Sequence, residues 1–189
     1  MEEIVIVGFG GHAKSVADSI ERTGKYKIVG YTDVVEREVK YRYLGQDDIY
    51  PELYSKGIRN VAMGLGYMGK GQLREKLYYR LKEIGFFFPP IIDSSAIIST
   101  STQVKEGAFI GKGVIINAEA IIGKMSIINS GAVVEHESYV GEFAHVAVGA
   151  VLCGNVIVKR AAFVGANATV IQGKKVDERE IVPAGMVVR

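Results

Sequence analysis

Two of the three histidines lie nine residues apart, and one of them stands between acidic residues. His136 is flanked by Glu135 and Glu137, and His145 follows. An imidazole can accept a proton at neutral pH, and an adjacent carboxylate can set its tautomer and keep it basic. The pattern favours His136 as a general base that removes a proton from an attacking amine or hydroxyl group. A surface or interface histidine is the alternative.

A glycine-rich segment near the start of the chain is a second candidate site. Gly8-Phe9-Gly10-Gly11-His12-Ala13 has the spacing G-x-G-x-x-A and follows the apolar run Ile4–Val7. Small residues let a backbone approach phosphate, and a helix N-terminus favours negative charge. Asp33 lies about 20 residues further on, where a carboxylate could hold a nucleotide hydroxyl. The segment predicts either a site for one nucleotide, such as the diphosphate of a nucleotide-sugar, or a glycine turn that only packs.

The elements around this segment alternate between strand and helix. The predicted elements are strands at 4–7, 27–31 and 60–65, a helix that ends near Gly24, and a helix at 72–84 closed by Gly85. We expect the last helix to bury an apolar face formed by Leu73, Leu77, Leu81 and Ile84. Alternation of this kind indicates a parallel α/β sheet, here a Rossmann-like domain over residues 1–90. About 90 residues are too few for both halves of a dinucleotide-binding fold, which argues against a dehydrogenase.

The rest of the chain, residues 91–189, carries an internal repeat of six residues. Stepping by six from Ile92 to Val182, all 16 positions hold Ile, Val or Leu, and the residue four places later is usually small. A six-residue step scatters side chains around a helix but keeps them on one face of a strand. Unbroken hexapeptides predict a parallel β-helix with three repeats per coil and about five coils.

Composition limits the classes of function. Lys and Arg total 23 against 21 Asp and Glu, so the net charge of +2 gives no electrostatic reason to expect nucleic-acid or membrane binding. Cys153 is the one cysteine, which fits a reducing compartment. An acidic start unlike a secretory signal and the lack of an apolar run of about 20 residues lead us to expect a cytoplasmic protein.

Several motifs together resemble one family. The stretch Glu135-His136-Glu137, the run from Gly141 to Gly149, and Cys153-Gly154-Asn155-Val156 are similar to the sugar acetyltransferases of the bacillosamine and sialic-acid O-acetyltransferase family. The glycine-rich segment and Asp33 resemble that family's nucleotide-sugar domain. The resemblance covers almost the whole chain and implies a left-handed β-helix.

The resemblance also implies roles for individual residues. His136 would be the general base and Glu137 its modulating partner. His145 and the amide of Gly154 would contact acetyl-CoA, the amide facing the thioester oxygen. The acceptor would be held by four residues, namely Gly10, His12, Asp33 and Asn129. From the residues alone, Asn129 could instead belong to a polar ladder, and Gly154 could only form a turn.

The family acts as homotrimers with acetyl-CoA between neighbouring β-helices, so we expect a homotrimer that needs no metal. The N-terminal domain of one subunit would lie near His136 of its neighbour. The implied reaction is N-acetylation of a UDP-linked 4-amino-4,6-dideoxy sugar, with O-acetylation of sialic acid or another sugar as the alternative. Less favoured are a non-catalytic nucleotide-sensing scaffold and a zinc hydratase, which would need three histidines where the repeat region has two.

Two departures from the family pattern stand out. The repeat region begins with Asp93-Ser94-Ser95-Ala96 in place of His-Pro-Ser-Ala, and the chain ends at Arg189 without a further tail. The second difference would affect the adenine pocket for coenzyme A. Basic side chains in the last repeats either meet coenzyme A phosphates or form a solvated face, and they are Lys159, Arg160, Lys174, Lys175, Arg179 and Arg189.

Overall fold

The computed structural model describes residues 1–66 and 72–189. Contacts divide the chain into two compact units, Met1–Ile91 and Ile92–Arg189. In the part of the chain that is described, none of the helices is long and apolar enough to cross a membrane.

The first unit contains four parallel strands and three α-helices. They are β1 (Glu2–Val7), α1 (Gly11–Thr23), β2 (Tyr26–Thr32), β3 (Tyr43–Gly45), α2 (Tyr50–Ser55), β4 (Asn60–Met63) and α3 (Leu73–Ile84), with a 3-10 turn at Asp47–Ile49. The order of strands in the sheet is β3-β2-β1-β4. After β3 the chain therefore returns to the other side of β1, so the carboxyl ends of β1 and β4 flank the switch point where such sheets bind ligands.

Both long helices end at a glycine in the left-handed conformation, as predicted. Gly24 has a φ of 63° and Gly85 a φ of 111°, and their N–H groups satisfy carbonyls of the last turn. The predicted apolar face of α3 needs one correction. Leu73 is 45% exposed, because the first turn of the helix buries the neighbouring Arg74 instead.

The second unit is a parallel β-helix of two-residue strands, β5–β21, arranged in three faces. Face 1 contains β5 (Ile91–Ile92), β8 (Phe109–Ile110), β11 (Ile127–Ile128), β14 (His145–Val146), β17 (Phe163–Val164) and β20 (Ile181–Val182). Face 2 contains β6 (Ile97–Ile98), β9 (Ile115–Ile116), β12 (Val133–Val134), β15 (Val151–Leu152), β18 (Thr169–Val170) and β21 (Val187–Val188). Face 3 contains β7 (Gln103–Val104), β10 (Ile121–Ile122), β13 (Tyr139–Val140), β16 (Ile157–Val158) and β19 (Lys175–Val176).

Each strand pairs with the strand one coil later, at a spacing of 18 residues. Ile127 pairs with His145, and Val133 pairs with Val151. The register keeps every predicted aliphatic inside, and those from Ile110 to Val182 are completely or almost completely buried. Since a fully buried Val or Ile contributes about 1.5–3 kcal/mol, this apolar column is the main source of stability of the second unit. The predicted fold class is confirmed.

The corners of the β-helix are tight turns of one repeated kind. From Gly107 to Arg179 and Gly185, the third residue after each inward aliphatic has a φ between about 54° and 73°. In the turn that starts at Lys105, for example, the Ala108 N–H donates to the Lys105 carbonyl at 3.3 Å, which is the pattern of a type II turn. The second residue of each turn therefore stands at the outer edge of a corner.

Candidate active site

His136 is the second residue of the turn between β12 and β13, at the corner that joins face 2 to face 3. Its side chain is half exposed, and Nδ1 lies 3.0 Å from Oε2 of Glu137. An ionised carboxylate only accepts hydrogen bonds, so Nδ1 must donate and Nε2 carries the lone pair. Glu137 is the left-handed residue of the same turn, with a φ of 59°. The turn thus presents an oriented imidazole to solvent.

Glu135, on the other side of His136, has a different task. Its Oε1 accepts a hydrogen bond from the Asn117 amide at 2.9 Å, and its Oε2 lies 3.4 Å from the His136 backbone nitrogen. This carboxylate therefore ties the turn to the preceding coil, and Glu137 is the glutamate that pairs with the imidazole.

Gly154 lies one coil beyond His136, directly against its ring. A Cβ at this position would come within 2.6 Å of His136 Nε2 and Cε1. The left-handed residue of this turn is Asn155, with a φ of 54°, so turn geometry does not require glycine at 154. The glycine leaves room for the imidazole. Ala118, one coil before His136, is exposed and carries only a methyl group.

Asn129 and His145 form a second cluster, at the corner that joins face 1 to face 2. Asn129 Nδ2 lies 3.5 Å from His145 Nε2, and Asn129 Oδ1 accepts a hydrogen bond from the Ser130 N–H at 2.8 Å. The residues one coil away from Asn129 are Gly111 and Ala147, so Asn129 is not part of an asparagine ladder. The amide side chain is held in place and turned toward the histidine.

The two clusters occupy opposite edges of face 2. His136, Glu137 and Gly154 follow the strands of this face, whereas Asn129 precedes β12 and His145 lies on β14 of face 1. Within one chain the β-helix therefore separates the predicted base from the Asn129–His145 pair by the width of a face.

The glycine-rich segment after β1 combines two kinds of glycine. Gly8 has a φ of 76°, and a Cβ on Gly64 would lie 2.0 Å from the Gly8 carbonyl oxygen, so both are needed for packing. Gly10, which caps α1, has a φ of −87°, and a Cβ there would meet nothing within 4 Å. Packing accounts for part of the motif and leaves an open surface at the helix N-terminus.

Asp33, directly after β2, lies against the glycine-rich segment that follows β1. Its Oδ2 accepts a hydrogen bond from the Phe9 N–H at 3.0 Å and lies 3.2 Å from Arg37 Nε. Partial burial acts to raise the pKa of this carboxyl, but the hydrogen bonds from Phe9, Arg37 and Val34 outweigh it and leave the pKa below its usual value. An ionised carboxylate therefore stands beside the glycine-rich segment.

His12 and Arg74 add a feature that the sequence alone did not reveal. Burial, reinforced by the nearby Arg74, lowers the pKa of His12 to about 4, so its imidazole is neutral at pH 7. Burial lowers the pKa of Arg74 to about 10, and the guanidinium stays protonated. A cation buried at the first turn of α3 gave no signal in the sequence, because its position looks like an ordinary polar site on an amphipathic helix.

Three of the six late basic residues lie within 4.0 Å of an acidic side chain, namely Lys159, Arg160 and Arg179. Lys159 lies 2.6 Å from Asp177, and Arg160 lies 4.0 Å from Glu142 and over the Phe143 ring.

Across residues 1–66 and 72–189, no three His, Cys, Asp or Glu side chains are grouped as a metal site would require.

Comparison with known proteins found a matching family model and similar solved structures. The family model described as the PglD N-terminal domain matches residues 3–81. PerB from Caulobacter crescentus, solved with CoA and GDP-perosamine, is 29% identical, with a TM-score of 0.69 over 99% of this chain and 93% of that chain. Over almost its whole length the chain is therefore similar to sugar acetyltransferases of the hexapeptide-repeat family.

Two further structures share the fold of this chain. The acetyltransferase domain of PglB from Neisseria gonorrhoeae FA1090, in complex with acetyl coenzyme A, is 22% identical, with a TM-score of 0.90 over 99% of this chain and 92% of that chain. WeeI from Acinetobacter baumannii AYE is 18% identical, with a TM-score of 0.65 over 99% of this chain and 96% of that chain. These likenesses confirm an α/β domain followed by a left-handed β-helix.

Proposed function

We propose that this chain transfers the acetyl group of acetyl-CoA to the amino group of a UDP-linked 4-amino-4,6-dideoxy sugar, with His136 as general base. The observation that carries the proposal is the arrangement of three residues at one corner. Glu137 binds Nδ1 of His136, and Nε2 carries the lone pair beside the unsubstituted backbone of Gly154.

The chemistry follows from these positions. The sugar amine attacks the thioester carbonyl carbon, and His136 Nε2 takes the proton that the nitrogen loses as the C–N bond forms. The N–H of Gly154 donates to the oxygen that becomes negative; one such donor is worth about 3 kcal/mol in other enzymes. When the C–S bond breaks, the imidazolium returns the proton to the sulfur of coenzyme A, which leaves an amide and a free thiol.

Acetyl-CoA as donor is supported by the structures of similar proteins that contain acetyl-CoA or CoA. In this protein we assign the coenzyme to the surface beside Gly154 and to His145 of the Asn129–His145 cluster. Lys159 and Arg160 already pair with Asp177 and Glu142, so Lys174 and Lys175 are the better candidates for phosphate contacts.

A nucleotide-linked amino sugar as acceptor is supported by two observations. PerB, which is similar over almost the whole chain, was solved with GDP-perosamine. The first unit presents an open helix N-terminus at Gly10 beside the ionised Asp33, a surface suited to a diphosphate and a nucleotide hydroxyl. His12, neutral at pH 7, supplies a ring N–H or a lone pair at the same turn.

The two clusters at opposite edges of face 2 lead us to propose a homotrimer. The outward residues of this face carry no charge, and Ile97, Ile115 and Val187 are between 36% and 67% exposed. If three copies turn face 2 toward a threefold axis, one edge of each meets the opposite edge of its neighbour. His136 of one chain would then face the Asn129–His145 cluster of the next, with acetyl-CoA between them.

The amine acceptor distinguishes this function from O-acetylation of sialic acid or another sugar. Purified protein would be incubated with acetyl-CoA and a panel that contains UDP- and GDP-linked 4-amino sugars, their 4-hydroxy analogues and sialic acid. We expect an amide product, identified by mass and by NMR, from a UDP-linked amino sugar. An ester from sialic acid would establish the alternative, and binding of nucleotide-sugars without turnover would indicate a scaffold.

We place the reaction in glycan biosynthesis in the cytoplasm, where a reduced Cys153 and acetyl-CoA are both expected.

A further inference from the structure

The hydroxyl group of Ser138 bridges two groups of the next coil, beside the candidate active site. Ser138 is 1% exposed. Its Oγ donates to the Cys153 carbonyl at 3.0 Å and accepts from the Val156 N–H at 3.1 Å. Both partners belong to the turn Cys153–Val156, which contains Gly154. A buried side chain from the coil of His136 is thus inserted into the turn that faces His136.

This bridge replaces the bond that closes an ordinary corner. In the turn at Asn129, the Ala132 N–H donates to the Asn129 carbonyl at 3.1 Å, and in the turn at Ala147 the Ala150 N–H donates to the Ala147 carbonyl at the same distance. In the turn Cys153–Val156, the Ser138 hydroxyl stands between the corresponding carbonyl and N–H. This corner carries a side-chain bridge in place of the backbone bond, whereas the other two are closed by their own backbone. The turn at Gly111, which also has valine as its fourth residue, lacks the backbone bond too but has no such bridge.

The bridge acts directly on the Gly154 N–H, because the Cys153 carbonyl and the Gly154 N–H belong to the same peptide group. A trans peptide is planar, and its C=O and N–H point in opposite directions. A hydrogen bond that draws the Cys153 oxygen inward to Ser138 therefore turns the Gly154 N–H outward, in the residue that lies against the His136 ring.

We propose that Ser138 is a positioning residue that aims the Gly154 N–H at the thioester oxygen in the transition state. The inference rests on the proposed function, in which this N–H is the oxyanion donor. Without the hydroxyl, the Cys153 carbonyl and the Val156 N–H lose their shared partner, and the peptide between Cys153 and Gly154 is free to rotate. The fold should tolerate this, since alanine is the commonest residue at this position of the repeat.

The test compares three variants of the full-length protein. Ser138→Ala should lower kcat by about 10- to 100-fold, less than the loss of a whole oxyanion donor, while KM for the acceptor and the affinity for acetyl-CoA change little. Ser138→Thr should restore most of kcat, because Thr102, two coils earlier, makes the same kind of bond to the Asn117 carbonyl at 3.0 Å. Ser126→Ala is the control, since Ser126 is equally buried but bonds only within its own turn, to the Gly123 carbonyl.

An unchanged kcat in Ser138→Ala would overturn the inference. So would a loss that Ser126→Ala reproduces with an equal fall in melting temperature, because the role of the hydroxyl would then be structural. Failure of the proposed function looks different. In that case His136→Ala would also retain full activity, or no acceptor would release thiol at all.

Discussion

Gly154 lies so close to His136 that any side chain at 154 would occupy the space of the imidazole, since a Cβ would come within 2.6 Å of Nε2. The turn itself would accept another residue, because its left-handed position is Asn155. The glycine therefore makes room for the His136 ring and is not required by the backbone, and this relationship can be tested without removing the histidine.

Gly154→Ala should fold normally and lose activity. The added methyl group meets the end of a movable side chain, so the β-helix keeps its melting temperature while His136 swings away from its position. We expect kcat to fall by about 10²-fold, within the range for general-base catalysis. A double-mutant cycle with His136→Ala is the control. If the two losses multiply instead of overlapping, the methyl group does not act through the imidazole.

Gly10→Ala should weaken acceptor binding and lower stability only slightly, because alanine is a poorer N-cap than glycine. A Cβ at Gly10 meets nothing within 4 Å, whereas one at Gly64 would lie 2.0 Å from the Gly8 oxygen. Titration with the nucleotide-sugar should show an affinity at least about tenfold lower for Gly10→Ala, because the methyl group occupies the approach of the phosphate. Gly64→Ala should instead lower the melting temperature. Unchanged affinity in a folded Gly10→Ala protein would place the nucleotide elsewhere.

Acid should destabilise the first unit through His12. Burial lowers its pKa to about 4, while an unfolded histidine titrates near about 6.5. Between these values the unfolded chain binds the additional proton, so the free energy of unfolding decreases as the pH falls from about 6.5 to about 4. The loss of free energy of unfolding is largest near pH 4, where it reaches about 3 kcal/mol.

Urea unfolding at several pH values measures this effect. Tyrosine fluorescence is a suitable signal, because nine of the ten tyrosines precede residue 91. The decrease in the free energy of unfolding between about pH 6.5 and about pH 4 should be absent in His12→Asn. An NMR titration of the three histidines should find His12 neutral at pH 5. The same pH slope in both proteins would show that His12 is not the group responsible.

Mixed oligomers should recover activity if the two clusters meet between chains. One chain would carry His136→Ala, and the other Asn129→Ala together with His145→Ala. Each protein alone should be nearly inactive, but co-expressed chains that assemble at random should regain about a quarter of the wild-type rate. This is the fraction of interfaces that combine an intact His136 with an intact cluster. No recovery in a verified mixed oligomer would contradict a shared site.

Much of the β-helix could be predicted because one rule repeats along the chain. The period of six, with pairing at 18, places Ile110 through Val182 inside. The same register places Asn129 and His136 at different corners. In the first unit, β3 and α2 were missed, since elements of three and six residues are too short to show a period. The strand predicted to reach Leu65 ends at Met63.

The finer features of the site could not be predicted, because they depend on contacts between coils. Ser138 fits the small-residue pattern of the repeat, and nothing in the sequence indicates that its hydroxyl replaces a turn bond in the next coil. Arg74 likewise takes the buried place expected for Leu73, and only the packing of α3 reveals it. Contacts of a side chain with residues about 18 positions away, in the next coil, can be identified only from the structure.

The most direct test of the central claim is thiol release from acetyl-CoA by the wild-type protein and by His136→Ala, with the preferred amino sugar as acceptor. Wild-type protein should release one thiol for each amide formed. His136→Ala should bind acetyl-CoA with similar affinity and release thiol about 10²- to 10⁴-fold more slowly, as expected for loss of a general base. Equal rates in the two proteins would contradict the assignment of His136 as the base and, with it, the proposed mechanism.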